Sequence, residues 1–182
     1  MRRQQPSSKT KKSSSQPLTR NSTTQPSLRG RALRLLGRRE FSRQELDKRL
    51  RPYVPNEADA GNPAELEMLL DDLAERGWLS DARYADAVVR KRTGQYARRS
   101  IAQELKRAGV AVEITEAALA ALDPDEEFAA ALALCRRKFR HAPADQKEKA
   151  RQIRFLQSRG YSLSLVLRAL KQSGDKDSES EE

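Results

Sequence analysis

Side chains that commonly carry out chemistry are scarce in this chain, and that scarcity narrows its possible function. The single histidine, His141, lies in a polar His-Ala-Pro-Ala-Asp connection, and the single cysteine, Cys135, lies in an apolar stripe. A histidine-centred triad or a zinc site needs several such groups within reach of one another, so no catalytic, metal or cofactor site is expected. Cys135 reads as a core residue. Neither standard spacing of a Gly-rich phosphate loop occurs. The acidic pairs Asp71-Asp72 and Glu126-Glu127 are neighbours that splay apart on a helix or serve as first-turn charges. The chain is therefore not expected to be an enzyme.

Cations are abundant by contrast. Lys and Arg number 36 against 26 Asp and Glu, a formal net charge of +10. Arg31, Arg34, Arg38 and Arg39 crowd one stretch; Arg90-Lys91-Arg92 and Arg98-Arg99 flank Gly94, with Lys106 and Arg107 beyond; Arg136-Arg137-Lys138 recur further on, followed by Lys147, Lys149, Arg151 and Arg154. Pairing to nearby acids accounts for some of these, but few acids flank Arg90–Arg92. The residues expected to contact a partner are Arg90, Lys91, Arg92, Arg98, Arg99, Lys106, Arg136, Arg137, Lys138 and Arg154. A polyanion, or a protein surface rich in carboxylates, is the chemistry they fit. An ordinary solvated surface is the alternative.

The elements that hold these cations repeat. Leu105-Lys106-Arg107-Ala108-Gly109 returns 51 positions later as Leu156-Gln157-Ser158-Arg159-Gly160, and a weaker copy centres on Glu45–Leu50. Such a period indicates an array of helical modules. Leu66, Leu69, Leu70 and Leu73, and again Leu163, Val166, Leu167 and Leu170, keep helical spacing, and Phe128 through Phe139 continues such a stripe. Ser42 with Glu45, and Phe41 with Leu46, form a capping box and hydrophobic staple; Asn62-Pro63 and Asp123-Pro124 mark further starts. Gly77, Gly109 and Gly160 sit where helices end and should adopt left-handed C-caps.

These marks predict an all-α fold of about nine helices. It is expected to be an elongated, curved array of three three-helix units over 28–79, 80–122 and 123–171, each with a basic second helix and a short apolar third. Tyr84, Tyr96 and Trp78 read as core rather than as base-stacking rings. The third helices, over 113–122 and 163–170, are too poor in Asn, Gln and Arg for base readout in a DNA groove.

Residues 1–27 hold only Met1 and Leu18 as larger apolar side chains and are expected to be a disordered basic arm. Residues 172–182 are expected to be a disordered acidic tail, and 55–62 a surface insertion. No stretch approaches the roughly 18 apolar residues of a membrane span, no secretory signal is evident, and one cysteine fits a reducing cytosol. A cytoplasmic monomer without membrane contact is expected.

Ser80-Asp81-Ala82-Arg83-Tyr84-Ala85, Arg90-Lys91-Arg92-Thr93-Gly94 and Ile101–Val110 together resemble the central block of the RecX family. Phe155–Ser162 resembles its C-terminal block, and Ala32–Leu36 with Phe41–Leu46 its opening. The resemblance spans about 30–171 and leaves both tails and the insertion outside. It implies a regulator of the RecA recombinase that lodges in the groove of the RecA–DNA filament and restrains strand exchange, ATPase and co-protease activity, hence recombination, DNA repair and the SOS response. Weak non-specific DNA contact is compatible with it. The family offers no catalytic residue to transfer, so the candidate contacts remain those of the cation clusters. A nucleic-acid-binding module that does not depend on recombinase is the competing expectation.

Overall fold

The computed structural model describes residues 26–54, 63–139, 141 and 143–178. The 55–62 insertion, and the basic arm apart from Pro26 and Ser27, lie outside the described residues. Nine α-helices and no strand occur among those described. They are α1 (Leu28–Leu36), α2 (Arg43–Leu50), α3 (Pro63–Glu75), α4 (Asp81–Arg92), α5 (Arg98–Arg107), α6 (Val112–Leu119), α7 (Pro124–Lys138), α8 (Gln146–Gln157) and α9 (Leu163–Ser178), with a single 3-10 turn, Arg51–Tyr53, after α2.

Local chemistry explains the starts. The first amides of a helix lack intrahelical acceptors, and short polar side chains supply them. Ser27 Oγ accepts from the Gly30 amide, Ser42 Oγ from Glu45, Ser80 Oγ from Arg83, and the carboxylates of Asp123 and Asp145 from Asp125 and Glu148. The Ser42 cap is thus as the sequence predicts. The Glu45 carboxylate, however, does not return to the cap; it takes two hydrogen bonds from Arg39. A guanidinium fork outcompetes one backbone amide for a carboxylate. Three ends are closed by glycines in left-handed conformation: Gly77 (φ 68°), Gly109 (φ 78°) and Gly160 (φ 91°).

Each set of three helices encloses its own core. Ala32, Phe41, Leu46, Leu50, Leu66, Leu70, Leu73 and Leu79 form the first. Tyr84, Ala85, Val89, Ile101, Leu105, Val110 and Leu119 form the second. Ala131, Leu134, Cys135, Leu156, Tyr161, Val166 and Leu170 form the third, which also takes in Ala97 from the second bundle. No single apolar interior runs through the described residues.

The bundles are instead joined end to end by a polar contact made twice in the same register. The second helix of one bundle points its N-terminus at the next bundle. The first amide of α2, on Arg43, donates to Asp81 at the start of α4 (2.7 Å), and that of α5, on Arg98, donates to Glu127 in the first turn of α7 (3.0 Å). Beside each, the capping residue reaches the carbonyl just before the next bundle's glycine. Ser42 Oγ donates to Ala108 O (2.6 Å), and the Ala97 amide donates to Arg159 O (2.9 Å). A carboxylate at a helix N-terminus satisfies an orphan donor and faces the positive end of the macrodipole. Helix α8, which meets no further bundle among the described residues, caps itself. Asp145 accepts from the Glu148 amide, and Glu148 accepts from the Ala144 amide.

Two expectations need correction. Helix α9 runs from Leu163 to Ser178. No proline ends it, and Ser173 Oγ takes up the Leu170 carbonyl. The third helices are therefore not uniformly short: α6 has 8 residues, α3 has 13 and α9 has 16. Trp78 is not core but 44% exposed, with Arg29 and Arg76 each 5.8 Å from its ring.

The glycines at the joints carry two demands, positive φ and close approach. A Cβ on Gly160 would lie 2.7 Å from Ser100 Cβ and 3.2 Å from its backbone N, whereas one on Gly77 would meet nothing within 4 Å. Gly160→Ala should therefore cost about 3 kcal/mol, from backbone strain plus overpacking. Gly77→Ala should cost about 1 kcal/mol from strain alone. Urea unfolding followed by circular dichroism measures both, and equal losses would contradict the close approach.

Candidate binding surface

The cation clusters occupy equivalent places in successive bundles. Arg90, Lys91 and Arg92 fill the last turn of α4, and Arg136, Arg137 and Lys138 the last turn of α7. There the helix dipole is negative and favours positive charge. Arg154 lies in the last turn of α8 and Lys106 in that of α5.

These residues do not all face outward. Arg92 donates to Glu104 at 2.8 Å and lies 5.1 Å from the centre of the Tyr96 ring, with Arg159 at 4.9 Å. The Glu104 hydrogen bond holds the Arg92 pKa above its ordinary value despite partial burial. Arg92 therefore braces α4 against α5, and Arg159, whose carbonyl receives the Ala97 amide, carries the stack across to the third bundle. Arg90, Lys91, Arg136, Arg137, Lys138 and Arg154 are exposed.

Arg98, Arg99 and Lys106 come together on a single cleft of about 940 Å³ between the second and third bundles. Among the described residues their side chains make no ion pair. The cleft also holds two exposed large aliphatic side chains: Val112, 62% exposed, which sequence spacing assigned to nothing, and Leu163, 49% exposed, whose helical spacing placed it in an apolar stripe expected to pack within its bundle. They open α6 and α9 respectively, so both first positions of a third helix contribute to one groove. The remaining candidates do not line it. A second, smaller cleft of about 350 Å³ lies on the first bundle, where Arg31, Arg34 and Arg38 surround Leu35, Leu50 and Tyr53; Arg31 stacks 3.9 Å from the Tyr53 ring.

The groups that could do covalent or metal chemistry are placed elsewhere. Cys135 is 1% exposed, and burial pushes its thiol pKa up, so the thiol is protonated; its sulfur lies 3.8 Å from Gln152 Oε1. His141 contributes a backbone carbonyl to Gln152 Nε2. No cluster of metal-ligating side chains occurs among the described residues, and none of their helices is long and apolar enough to cross a membrane.

Small three-helix bundles, each with a private core and joined through polar ends, define a tandem helical repeat protein. Residues 80–119 match the second three-helix domain of RecX and residues 125–170 match the third. A regulatory protein RecX from Leptothrix cholodnii is 46% identical over 147 residues, covering 81% of this chain and 89% of the relative. One from Neisseria meningitidis is 39% identical over 153 residues, covering 84% and 95%. The crystal structure of RecX from Lactobacillus salivarius superposes with a TM-score of 0.62 at 17% identity, over 80% of this chain and 93% of that one. The chain belongs to the RecX family of regulatory proteins.

One buried group at the joint gives a measurable signature. Tyr161 is 3% exposed, its hydroxyl has no hydrogen-bond partner among the described residues, and burial with Glu127 nearby raises its pKa from 10.0 to about 12. A phenol whose folded pKa is raised stabilises the fold fully below pH 10 and loses that contribution as pH rises towards 12. Tyr161→Phe should raise the unfolding free energy by about 1 kcal/mol, and should flatten the decline in stability over that alkaline window. Thermal melts of both proteins through the window are the check; parallel declines would contradict it.

Proposed function

We propose that this protein binds along the groove of the RecA–DNA filament as a monomer and restrains it, lowering strand exchange, ATP turnover and co-protease activity and so modulating recombination, repair and the SOS response. Family membership supports a regulatory role. The observation that carries the binding mode is the set of cations at the joint between the second and third bundles, Arg98, Arg99 and Lys106, which pair with no acid of their own chain among the described residues. A cation left unpaired by its own fold is available to a carboxylate of another molecule. Three bundles held in fixed register can meet several successive filament protomers, and the linked contacts multiply the affinity of each. Charge-driven association is fast and weakens with salt.

A second reading has its own observation. The Arg31, Arg34 and Arg38 cleft beside Tyr53 combines guanidinium groups with a half-exposed ring, a combination suited to single-stranded nucleic acid. A fluorescence-anisotropy titration separates the two, with recombinase-coated oligonucleotide compared with bare oligonucleotide across a salt series. The filament reading requires clear preference for the coated strand; equal affinity selects direct nucleic-acid binding. Charge reversal at Arg90, Lys91, Arg98 and Arg99, with Arg92 left intact because it braces the fold, should weaken inhibition of recombinase ATPase by about tenfold or more, with the helical circular-dichroism signal unchanged. Full inhibition by that variant would remove these cations from the mechanism.

A further inference from the structure

We infer that the cleft between the second and third bundles is a docking site for a short protein segment that sets an apolar side chain between carboxylates. The inference rests on the filament reading only for the identity of the protein that supplies the segment.

Val112 and Leu163 carry the apolar half of the argument. Each is the first residue of its helix, and each leaves about half or more of its surface in water while the cores beneath are already closed by Leu119, Val166 and Leu170. Their exposure therefore does nothing for either bundle, and water-exposed aliphatic surface is recovered only when something covers it. Both border the same cleft, so a segment lying in it has two apolar contacts to cover.

Arg98, Arg99 and Lys106 carry the polar half. They rim the cleft, and their side chains make no ion pair among the described residues. The Arg98 backbone amide is held by Glu127, which fixes the start of α5 and hence the position of this cationic wall. An apolar floor beside unpaired cations complements an acidic, amphipathic segment.

Nucleic acid fits this cleft poorly. Glu116 and Glu127 also line it, and a phosphodiester chain, charged at every step, cannot avoid them. Its one aromatic residue, Tyr161, is 3% exposed and offers no face for base stacking. A peptide carries its charges at chosen positions and can place them against the cations alone.

The test uses Gln103→Cys, an exposed cleft position on α5, labelled with an environment-sensitive fluorophore; the native Cys135 is 1% exposed and stays unlabelled. The probe ligand is a short synthetic peptide with leucines between glutamates. Its two controls replace glutamate by glutamine, and leucine by serine. A saturable response to the parent peptide, roughly tenfold weaker for either control and for the Val112→Asp/Leu163→Asp variant, is expected. Absence of a response, equal responses to all three peptides, or stronger competition by bare oligonucleotide than by peptide would overturn the inference. So would a gain in peptide affinity on deleting residues 174–182, which would assign the cleft to the chain's own acidic end. Recombinase-coated strand should displace the peptide. If the filament binds with the peptide still in place, the cleft is not the filament contact, and the filament reading survives. If no filament binds, that reading fails while the peptide series still decides the cleft.

Discussion

A carboxylate lent by one bundle to the open helix end of the bundle before it is the contact on which the architecture depends. Every α-helix begins with amide groups that lack acceptors, and in α2 and α5 the first of these amides is satisfied only across a joint, by Asp81 and Glu127. The contact is directional, because a helix N-terminus accepts negative charge from a narrow range of positions. The adjacent bonds to the Ala108 and Arg159 carbonyls set the rotation, and the glycines that follow them let the backbones approach. Small private cores supply most of the stability within each bundle, and the polar joints supply the order among them.

The cleft between the second and third bundles follows from that constraint. Because α5 is pinned at its first residue, Arg98 and Arg99 are held at its exposed N-terminal edge while the glycine turn of the third bundle forms the opposite wall. Two cations in the first turn of a helix oppose the dipole, an arrangement that fold stability alone would not select. The cations in the last turns of α4 and α7 are different: they agree with the dipole, and part of their recurrence is explained by helix stability. Arg92 makes the distinction plain. It belongs to the most basic run in the chain, yet it is spent on Glu104 and Tyr96 inside the fold.

This division suits a protein that acts by occupying a surface. Arrays of small bundles rarely enclose a deep site; among the described residues Cys135 is buried, and His141 is exposed on the connection between α7 and α8. What such an array offers is spacing: several modest contacts at fixed intervals, each weak and salt-sensitive, coupled by the rigidity of the joints.

Much of the local structure was legible in the residues themselves. Ser42 and Asp123 marked helix starts because a short polar side chain reaches an amide two or three positions on, and Gly77, Gly109 and Gly160 marked ends because only glycine turns there without strain; both are interactions within a few residues of sequence. The all-α class follows from the same short-range pattern. Whatever depended on partners distant in sequence was decided by tertiary structure alone. The pairing of Arg92 with Glu104, the burial of Ala97 in the third core, the exposure of Val112, Leu163 and Trp78, and the convergence of Arg98, Arg99 and Lys106 on one cleft all arise from how bundles meet. Periodicity specifies which face of a helix is apolar, but which cation remains free depends on what the next bundle places beside it.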